Sequence, residues 1–374
     1  MADTDFDACR KLWENVFGDT KEYTDFYFSE RAKIGRIYTK SDGKKLVSMV
    51  HANPYTMLDS RHHTFHRLHY IVGVATHPNY RHRGFMADLL TRALQDMYED
   101  KEPFTYLMPA DPAIYAPFGF CYIDSKLKEC CRLDQWKHLS AGSPSCRMEA
   151  AAPASYQAIS VFANSHMQAK GYNYIFRNAA YYGILQKQMQ AAGGELLCYV
   201  TPAGRKEAAP VIHAVISYMF EDNHCEITEC LYRDAVSFSD IQNAFAEYAA
   251  ARHHIHPAAS VRLTLYDRQE PAASAADAKN AVFSPAVMGR SVDFKSFVKL
   301  LYAQENTSLS LCIKDSLLPA NSGCYELFID RNGGSITSRL PLPQNTDNTE
   351  VLTPNRAWEA LRPHLSEFCI NDVT

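Results

Sequence analysis

The chain has 374 residues, 47% hydrophobic and 21% charged, which sets aside disordered, collagen-like and coiled-coil chains and leaves room for two or three domains at roughly 150 residues each. Lys+Arg 38 against Asp+Glu 42 gives net charge −4, no electrostatic footprint for a nucleic-acid backbone. No apolar run reaches the roughly 18 to 20 residues that cross a bilayer, and the acidic start has no apolar signal core, while 11 cysteines without a C-x-x-C pair point to neither a disulfide framework nor a zinc ribbon, so a soluble, cytoplasmic protein is expected.

In chain order, 7–17 places Ala8, Leu12, Trp13, Val16 and Phe17 on one helical face, and Gly18 ends it. Asp42-Gly43 is a turn signal ahead of strands at 47–51 and 64–76, both rich in β-branched and aromatic residues. A helix follows over 85–98, with Met86, Leu89, Leu90, Ala93, Leu94 and Met97 at helical spacing, then an apolar strand at 104–108. The stretch 139–145, L-S-A-G-S-P-S, is a small-residue linker. Helices are predicted at 153–169 and 178–192, the second closed by Gly193-Gly194, then strands at 195–201, 211–220 and 225–231. This repeats the first unit's layout, but no polar glycine loop opens a helix. A second, Ala/Ser-rich break at 271–279 precedes a helix at 292–302, a strand face of Leu309, Leu311 and Ile313, and strands 325–329 and 335–339 around Asn332-Gly333-Gly334, a hairpin signal. A last helix is predicted at 355–363. Three units result, 1–140, 146–280 and 285–374, of the mixed α/β class with mixed sheets.

The stretch 70–90, Y-I-V-G-V-A-T-H-P-N-Y-R-H-R-G-F-M-A-D-L-L, is the most informative. Arg81-His82-Arg83-Gly84 runs straight into a helix start, which offers unpaired N–H groups, the positive end of the helix dipole and two guanidinium groups. That combination suits a diphosphate, with Gly84 chosen because a Cβ would stand between backbone and anion. The plainer reading of the same residues is a surface helix with a basic first turn.

The run 81–86, with the strand end Val74-Ala75-Thr76 and Pro78 before it, resembles the R-x-x-G-x-G/A pyrophosphate loop of the GNAT acyl-CoA-dependent N-acetyltransferases, with Met86 where Gly or Ala is common. Further stretches resemble the Eis (enhanced intracellular survival) branch: L-W-E-N-V-F-G-D at 12–19, I-Y-A-P-F-G-F at 114–120, Y-I-F-R-N-A-A-Y-Y at 174–182, V-M-G-R-S-V-D at 287–293 and F-C-I-N-D-V at 368–373. The resemblance spans all three units. It implies two tandem GNAT folds, the first binding acetyl-CoA as cosubstrate, followed by a sterol-carrier-protein-like domain whose last residue returns to the first domain's site, in homo-oligomers that are trimers or hexamers. It further implies that cofactor lies along Val74, Ala75, Thr76, Arg81, His82, Arg83, Gly84, Phe85, Met86 and Ala87, with Ala110 and Asp111 near the acetyl end. By the same resemblance Tyr115 is the proton donor and the terminal carboxylate of Thr374 the base. The chain ends Val373-Thr374 where members of the family commonly end on an aromatic residue.

An amine attacking a thioester must lose a proton, and the departing thiolate, of parent pKa near ~8.5, gains from a donor such as a tyrosine near ~10. Without the resemblance, Tyr115 reads as an aromatic packed beside Phe118 and Phe120, and Thr374 as a frayed tail. His51, His62, His63, His66, His69, His77 and His82 form a dense imidazole run, but His66 and His69 point to opposite faces of a strand and no carboxylate or cysteine pattern completes a site, so no metal is expected. His253, His254 and His256 close a helix, where imidazolium suits the dipole. A small-molecule amine, polyamine or aminoglycoside-like, is the acceptor implied by the resemblance, with Asp111 and Glu30 as candidate carboxylates at the mouth. The alternatives are a module that binds an acyl or apolar ligand beside a vestigial transferase site, and a transferase with a different acyl donor.

Overall fold

The computed structural model describes residues 5–137, 145–202, 210–233, 236–256, 259–267, 281–343, 350–366 and 368–369. Asp5 accepts from the Ala8 N–H and opens α1 (Phe6–Val16), which buries Cys9, Leu12 and Trp13. Thr20 caps α2 (Lys21–Phe26), which continues as a π-helix, Tyr27–Arg31. An antiparallel meander follows: β1 (Arg36–Asp42), β2 (Lys45–Asp59) and β3 (Thr64–Thr76). Then come α3 (Phe85–Glu99), β4 (Phe104–Leu107), α4 (Pro112–Tyr115) and β5 (Cys121–Arg132). The middle of the chain forms β6 (Arg147–Ala150), α5 (Tyr156–Ala169), β7 (Asn173–Ile175), α6 (Ala179–Ala191), β8 (Glu195–Thr201), β9 (Val211–Glu221), β10 (His224–Tyr232), α7 (Phe238–Arg252) and β11 (Arg262–Asp267). The last part holds β12 (Ala281–Ser291), α8 (Phe294–Val298), β13 (Thr307–Ile313), β14 (Gly323–Asp330), β15 (Gly333–Leu340), β16 (Val351–Leu352), α9 (Pro354–Leu361) and β17 (Phe368–Cys369).

The fold is mixed α/β, and it contains a duplication. Two helices, three antiparallel strands, a helix and a parallel strand occur first as α1, α2, β1, β2, β3, α3, β4 and again as α5, α6, β8, β9, β10, α7, β11. Both copies share one sheet, ordered β17-β7-β2-β3-β4-β12-β5-β11-β10-β9-β8-β6, with β1 also on β2. A second sheet, β15-β14-β13-β16, belongs to the C-terminal part. No helix among the described residues is long and apolar enough to cross a membrane.

The structure departs from the sequence reading in three places. The boundary at 285 falls inside β12, which inserts between β4 and β5 of the first copy; Val287, Met288 and Arg290 are buried there, and a Cβ on Gly289 would sit 2.7 Å from Ile123 Cδ1. The helix predicted over 292–302 is confined to α8, because the chain turns to pair Leu301 with Leu365. Finally, Cys312 and Cys324, directly opposed in β13 and β14, are disulfide-bonded, whereas the sequence pointed to no framework; among the described side chains eight further cysteines are free. Cross-strand opposition is a tertiary fact that cysteine spacing does not carry.

Candidate active site

Strand β3 carries Gly73 at φ +58°, inside a run of β-branched residues. A Cβ there would meet the Trp13 ring at 2.5 Å and His51 Cγ at 3.3 Å, so both side chains pack directly on the strand's backbone. Opposite it, the β2–β3 register shifts between Met49 and His51, a bulge of the kind a strand glycine marks. This accounts for the stretch 12–19: Trp13 lies on the bulge, stacks on Tyr27 at 4.3 Å and donates from Nε1 to Asp19 at 2.7 Å. On its other side β3 pairs with the parallel β4 at Tyr70 and Tyr106 alone, so the β3 segment from Ile71 to Thr76 opens away from β4. In the second copy β10 and β11 pair over four positions, from His224 and Arg262 to Ile227 and Leu265. One copy is wedge-shaped and the other closed.

The wedge leads to the start of α3. Gly84 is the N-cap at φ +81°, and the first helical bond runs from the Asp88 N–H to the Gly84 carbonyl at 3.0 Å. The N–H groups of Phe85, Met86 and Ala87 lie ahead of that ladder, at the positive end of a helix of 15 residues. Among the described residues, none apart from its own chain neighbours and the adjoining helix backbone comes within 4 Å of where a Gly84 Cβ would be, so backbone conformation, rather than crowding by the fold, is what demands glycine. His82 is also left-handed, at φ +61°. Arg81 Nε donates to the Thr76 carbonyl at 3.3 Å and Arg83 Nη2 to that of Asn79 at 3.1 Å, which folds the loop back on itself. Arg83 lies 4.9 Å over the Tyr80 ring, Lys45 5.8 Å over the same ring, and Lys40 5.8 Å over Phe85. Cations thus gather around the open helix end, where an anion is favoured.

The remaining candidates divide. Val74 and Met86 are half-buried against the cluster that contains Tyr115, Ile71, Leu107 and Phe120, which brings the wedge strand, the first turn of α3 and Tyr115 to one side of the sheet. Met86 fills apolar space there, a role open to a long side chain. Ala75 faces the other way, into the α1 cluster with Trp13 and Met49. Thr76 is tied by its hydroxyl to Ser48 at 2.8 Å. Ala110 and Asp111 are exposed, and Asp111 caps α4 by accepting from the Ala113 N–H at 2.9 Å. Tyr115 ends that short helix, is 8% exposed, meets Phe120 edge-on at 6.1 Å, and has its phenol pushed up to about 12 by burial rather than sitting near 10. Glu30 pairs with Lys187 at 2.7 Å, so it and Asp111 serve separate local structures. Thr374 lies outside the described residues.

The histidines scatter. His62 bonds Asp59 at 2.5 Å, His66 bonds Thr64 at 2.9 Å, His77 bonds Lys45 at 3.0 Å and buried His69 bonds Glu102 at 2.5 Å. Among the described residues no group of three or more His, Cys, Asp or Glu side chains is arranged to hold a metal.

One junction joins segments that the sequence reading did not connect. Arg290, fully buried in β12, donates from Nη1 to the Phe118 carbonyl and from Nη2 to Asp315, both at 2.5 Å, and Pro354 of α9 packs on Gly119. The turn after Tyr115 is therefore braced by the C-terminal part, joining the stretches 114–120 and 287–293. A lone arginine inside an apolar strand sequence was the available signal.

Residues 1–123 match the sequence model of a family described as an acetyltransferase (GNAT) domain, a span that holds the wedge, the Gly84 loop and Tyr115. No curated protein matches the sequence. Among solved structures the chain is similar to a conserved Enterococcus faecalis protein described as a probable N-acyltransferase, with TM-score 0.74 and 16% identity over 96% of this chain and 88% of that one. It is also similar to a GCN5-related N-acetyltransferase from Kribbella flavida, with TM-score 0.66 and 13% identity over 99% and 96%. Eis1 from Mycobacterium abscessus gives TM-score 0.62 and 12% identity over 96% and 88%. Identities this low establish a shared fold, which extends over nearly the whole chain. An acetyltransferase (GNAT) domain thus occupies residues 1–123, and the chain is an enzyme of the N-acetyltransferase class.

Proposed function

We infer that the protein transfers the acetyl group of acetyl-CoA to a primary amine of a small molecule, in the manner of the Eis branch. The observation that carries this is the asymmetry of the two copies: the first has an unpaired wedge leading to a glycine-capped helix start ringed by Arg81, Arg83, Lys40 and Lys45, and the second has a closed pair of strands. Free N–H groups at Phe85, Met86 and Ala87, with open space beside Gly84, fit a diphosphate. Bound there, acetyl-CoA supplies the activated acyl carbon. Val74, Thr76 and Met86 flank it, and Ala110 and Asp111 border its acetyl end. The amine nitrogen forms the new C–N bond as the C–S bond breaks; Tyr115 gives its proton to the departing thiolate, and the Thr374 carboxylate receives the proton the ammonium loses. A polyamine or aminoglycoside-like acceptor suits that carboxylate. Residues 1–140 form the acetyl-CoA-binding unit, 146–280 a second GNAT-like unit that shapes the acceptor side, and 285–374 a sterol-carrier-like unit that brings the terminus back. The enzyme works in the cytoplasm as a trimer or hexamer.

The test is release of free thiol from acetyl-CoA across a panel of polyamines and aminoglycosides. Turnover is expected with at least one amine, and Arg81→Ala with Arg83→Ala should weaken acetyl-CoA binding at least tenfold, about 1.4 kcal/mol. A folded wild-type protein that binds no acetyl-CoA by calorimetry would sink the proposal.

A further inference from the structure

A second charged region lies at the other end of α3. Its 15 residues, at about 1.5 Å each, put Lys101 roughly 22 Å from Gly84, so the diphosphate loop and this region are separate places. Here Tyr98 and Lys101 of the first copy face α8 and β15 across a cleft of about 610 Å³ that also receives Lys295, Lys299 and Arg339. Four cations meet one carboxylate, Asp293, which is buried and caps α8 by accepting from the Ser296 N–H and hydroxyl. Among the described residues none of the three lysines is paired with a carboxylate. For a molecule of net charge −4 this is a local reversal of sign.

Lys101 closes α3 in the left-handed conformation, φ +62°, with the Glu102 N–H donating to the Met97 carbonyl at 3.1 Å, and its side chain lies over the Tyr98 ring with Nζ 4.7 Å from the centroid. Arg339 is already spent: Nη2 donates to the Ala320 carbonyl at 2.6 Å and the Ser322 carbonyl at 2.9 Å, and the guanidinium lies 5.4 Å over Tyr325. The donors left for a ligand are ammonium groups, each a compact point charge with three rotatable N–H bonds. Those suit the tetrahedral oxygens of phosphate, whereas a planar carboxylate is best met by a free guanidinium fork.

We propose that the cleft between the end of α3 and α8 is a binding site for a phosphate-bearing small molecule, held by Lys101, Lys295 and Lys299 and distinct from the loop at Gly84. Because its walls come from the first copy and from the C-terminal part, an anion there draws the two together. The site stands whether or not the chain transfers acetyl groups.

Inorganic tripolyphosphate is the probe, titrated at low salt into the full chain by calorimetry with a thermal melt alongside. Arg81→Ala with Arg83→Ala removes the loop's contribution and should leave probe binding at the cleft. Adding Lys101→Gln, Lys295→Gln and Lys299→Gln should then weaken binding at least tenfold and abolish the rise in melting temperature. All three lysines are exposed, so folding should persist; should the combined variant unfold, Lys295→Glu alone in the loop-variant background must still lower affinity severalfold. Binding unchanged by the lysine substitutions, or lost entirely with the two loop arginines, overturns the site. Citrate binding as tightly as tripolyphosphate overturns the phosphate class, and citrate binding tenfold more weakly supports it.

Discussion

Two buried side chains near the wedge behave differently from their free forms. Burial holds the Tyr115 phenol up at about 12, so it is protonated throughout the neutral range and is available as a donor without being a nucleophile or an anion. The proton is lost only as pH rises through about 12; Tyr115 therefore contributes no alkaline limb to kcat below about pH 11, where an ordinary tyrosine would begin to titrate near 10. Tyr115→Phe should keep acetyl-CoA affinity and lower kcat by roughly 10² to 10⁴. If kcat measured with chemistry rate-limiting barely moves, Tyr115 is packing against Phe120 and nothing more. His51, 1% exposed with Nδ1 3.0 Å from the Tyr27 hydroxyl and Nε2 without a partner, is pushed down to about 3 by burial. The unfolded chain binds this proton below about 6.5 and the folded one does not. Its contribution to stability is thus present above pH 6.5 and declines as pH falls toward 3. In His51→Gln the fall in melting temperature between pH 7 and 4 should be shallower than in the wild type; parallel curves would place the acid sensitivity elsewhere.

The decisive element is the passage from β3 into α3. Its geometry rests on two glycines with opposite demands: Gly73 is both left-handed and crowded by Trp13, whereas Gly84 is left-handed in open space. The distinction is measurable at Gly84. Asparagine tolerates the left-handed region and its Cβ would enter open space, so Gly84→Asn should retain most of the acetyl-CoA affinity. Valine is strained there by roughly 1 to 3 kcal/mol, so Gly84→Val should lower it at least tenfold and shift the melt of α3. Equal losses in the two variants, read by calorimetry, would mean that a Cβ obstructs the ligand itself, the role the sequence first suggested. Asp111 works at the same scale: by capping α4 it fixes the helical turn that presents Tyr115, a task different from charge at a substrate mouth.

Across the whole molecule, the first copy is not self-sufficient. Its sheet is completed by β12, which the chain supplies after the second copy is built, by β7 on β2 and by β11 on β5, and Arg290 binds the Tyr115 turn to Asp315. Breaking a buried pair of this kind leaves a charge uncompensated at a cost of about 3 to 5 kcal/mol. A site braced in this way can also take a group from the far end of the chain, and β17 brings Phe368 into the same sheet beside β7. If the Thr374 carboxylate is the base, any extension past it displaces that group. A C-terminal tag should abolish turnover with acetyl-CoA binding intact, and an N-terminal tag should not. Full activity of the C-terminally tagged enzyme would remove Thr374 from the reaction.

Periodicity and turn chemistry are local, and what depends on them was legible in the chain: α1, the β1–β2 turn at Gly43, α3 with its buried Leu89, Leu90, Ala93, Leu94 and Met97, the β14–β15 hairpin, and the loop whose two arginines precede a helix. The duplicated layout was legible for the same reason, since each copy repeats its own local pattern. What the tertiary structure alone decided involves residues far apart in sequence. The insertion of β12 between β4 and β5, the opposition of Cys312 to Cys324, the packing of Trp13 and His51 on Gly73, and the bond from Arg290 to Phe118 each join segments whose patterns carry no mark of the partner. The shift of Tyr115 belongs with them, because a phenol's proton affinity is set by the solvent its fold removes, and burial is a property of the assembled core.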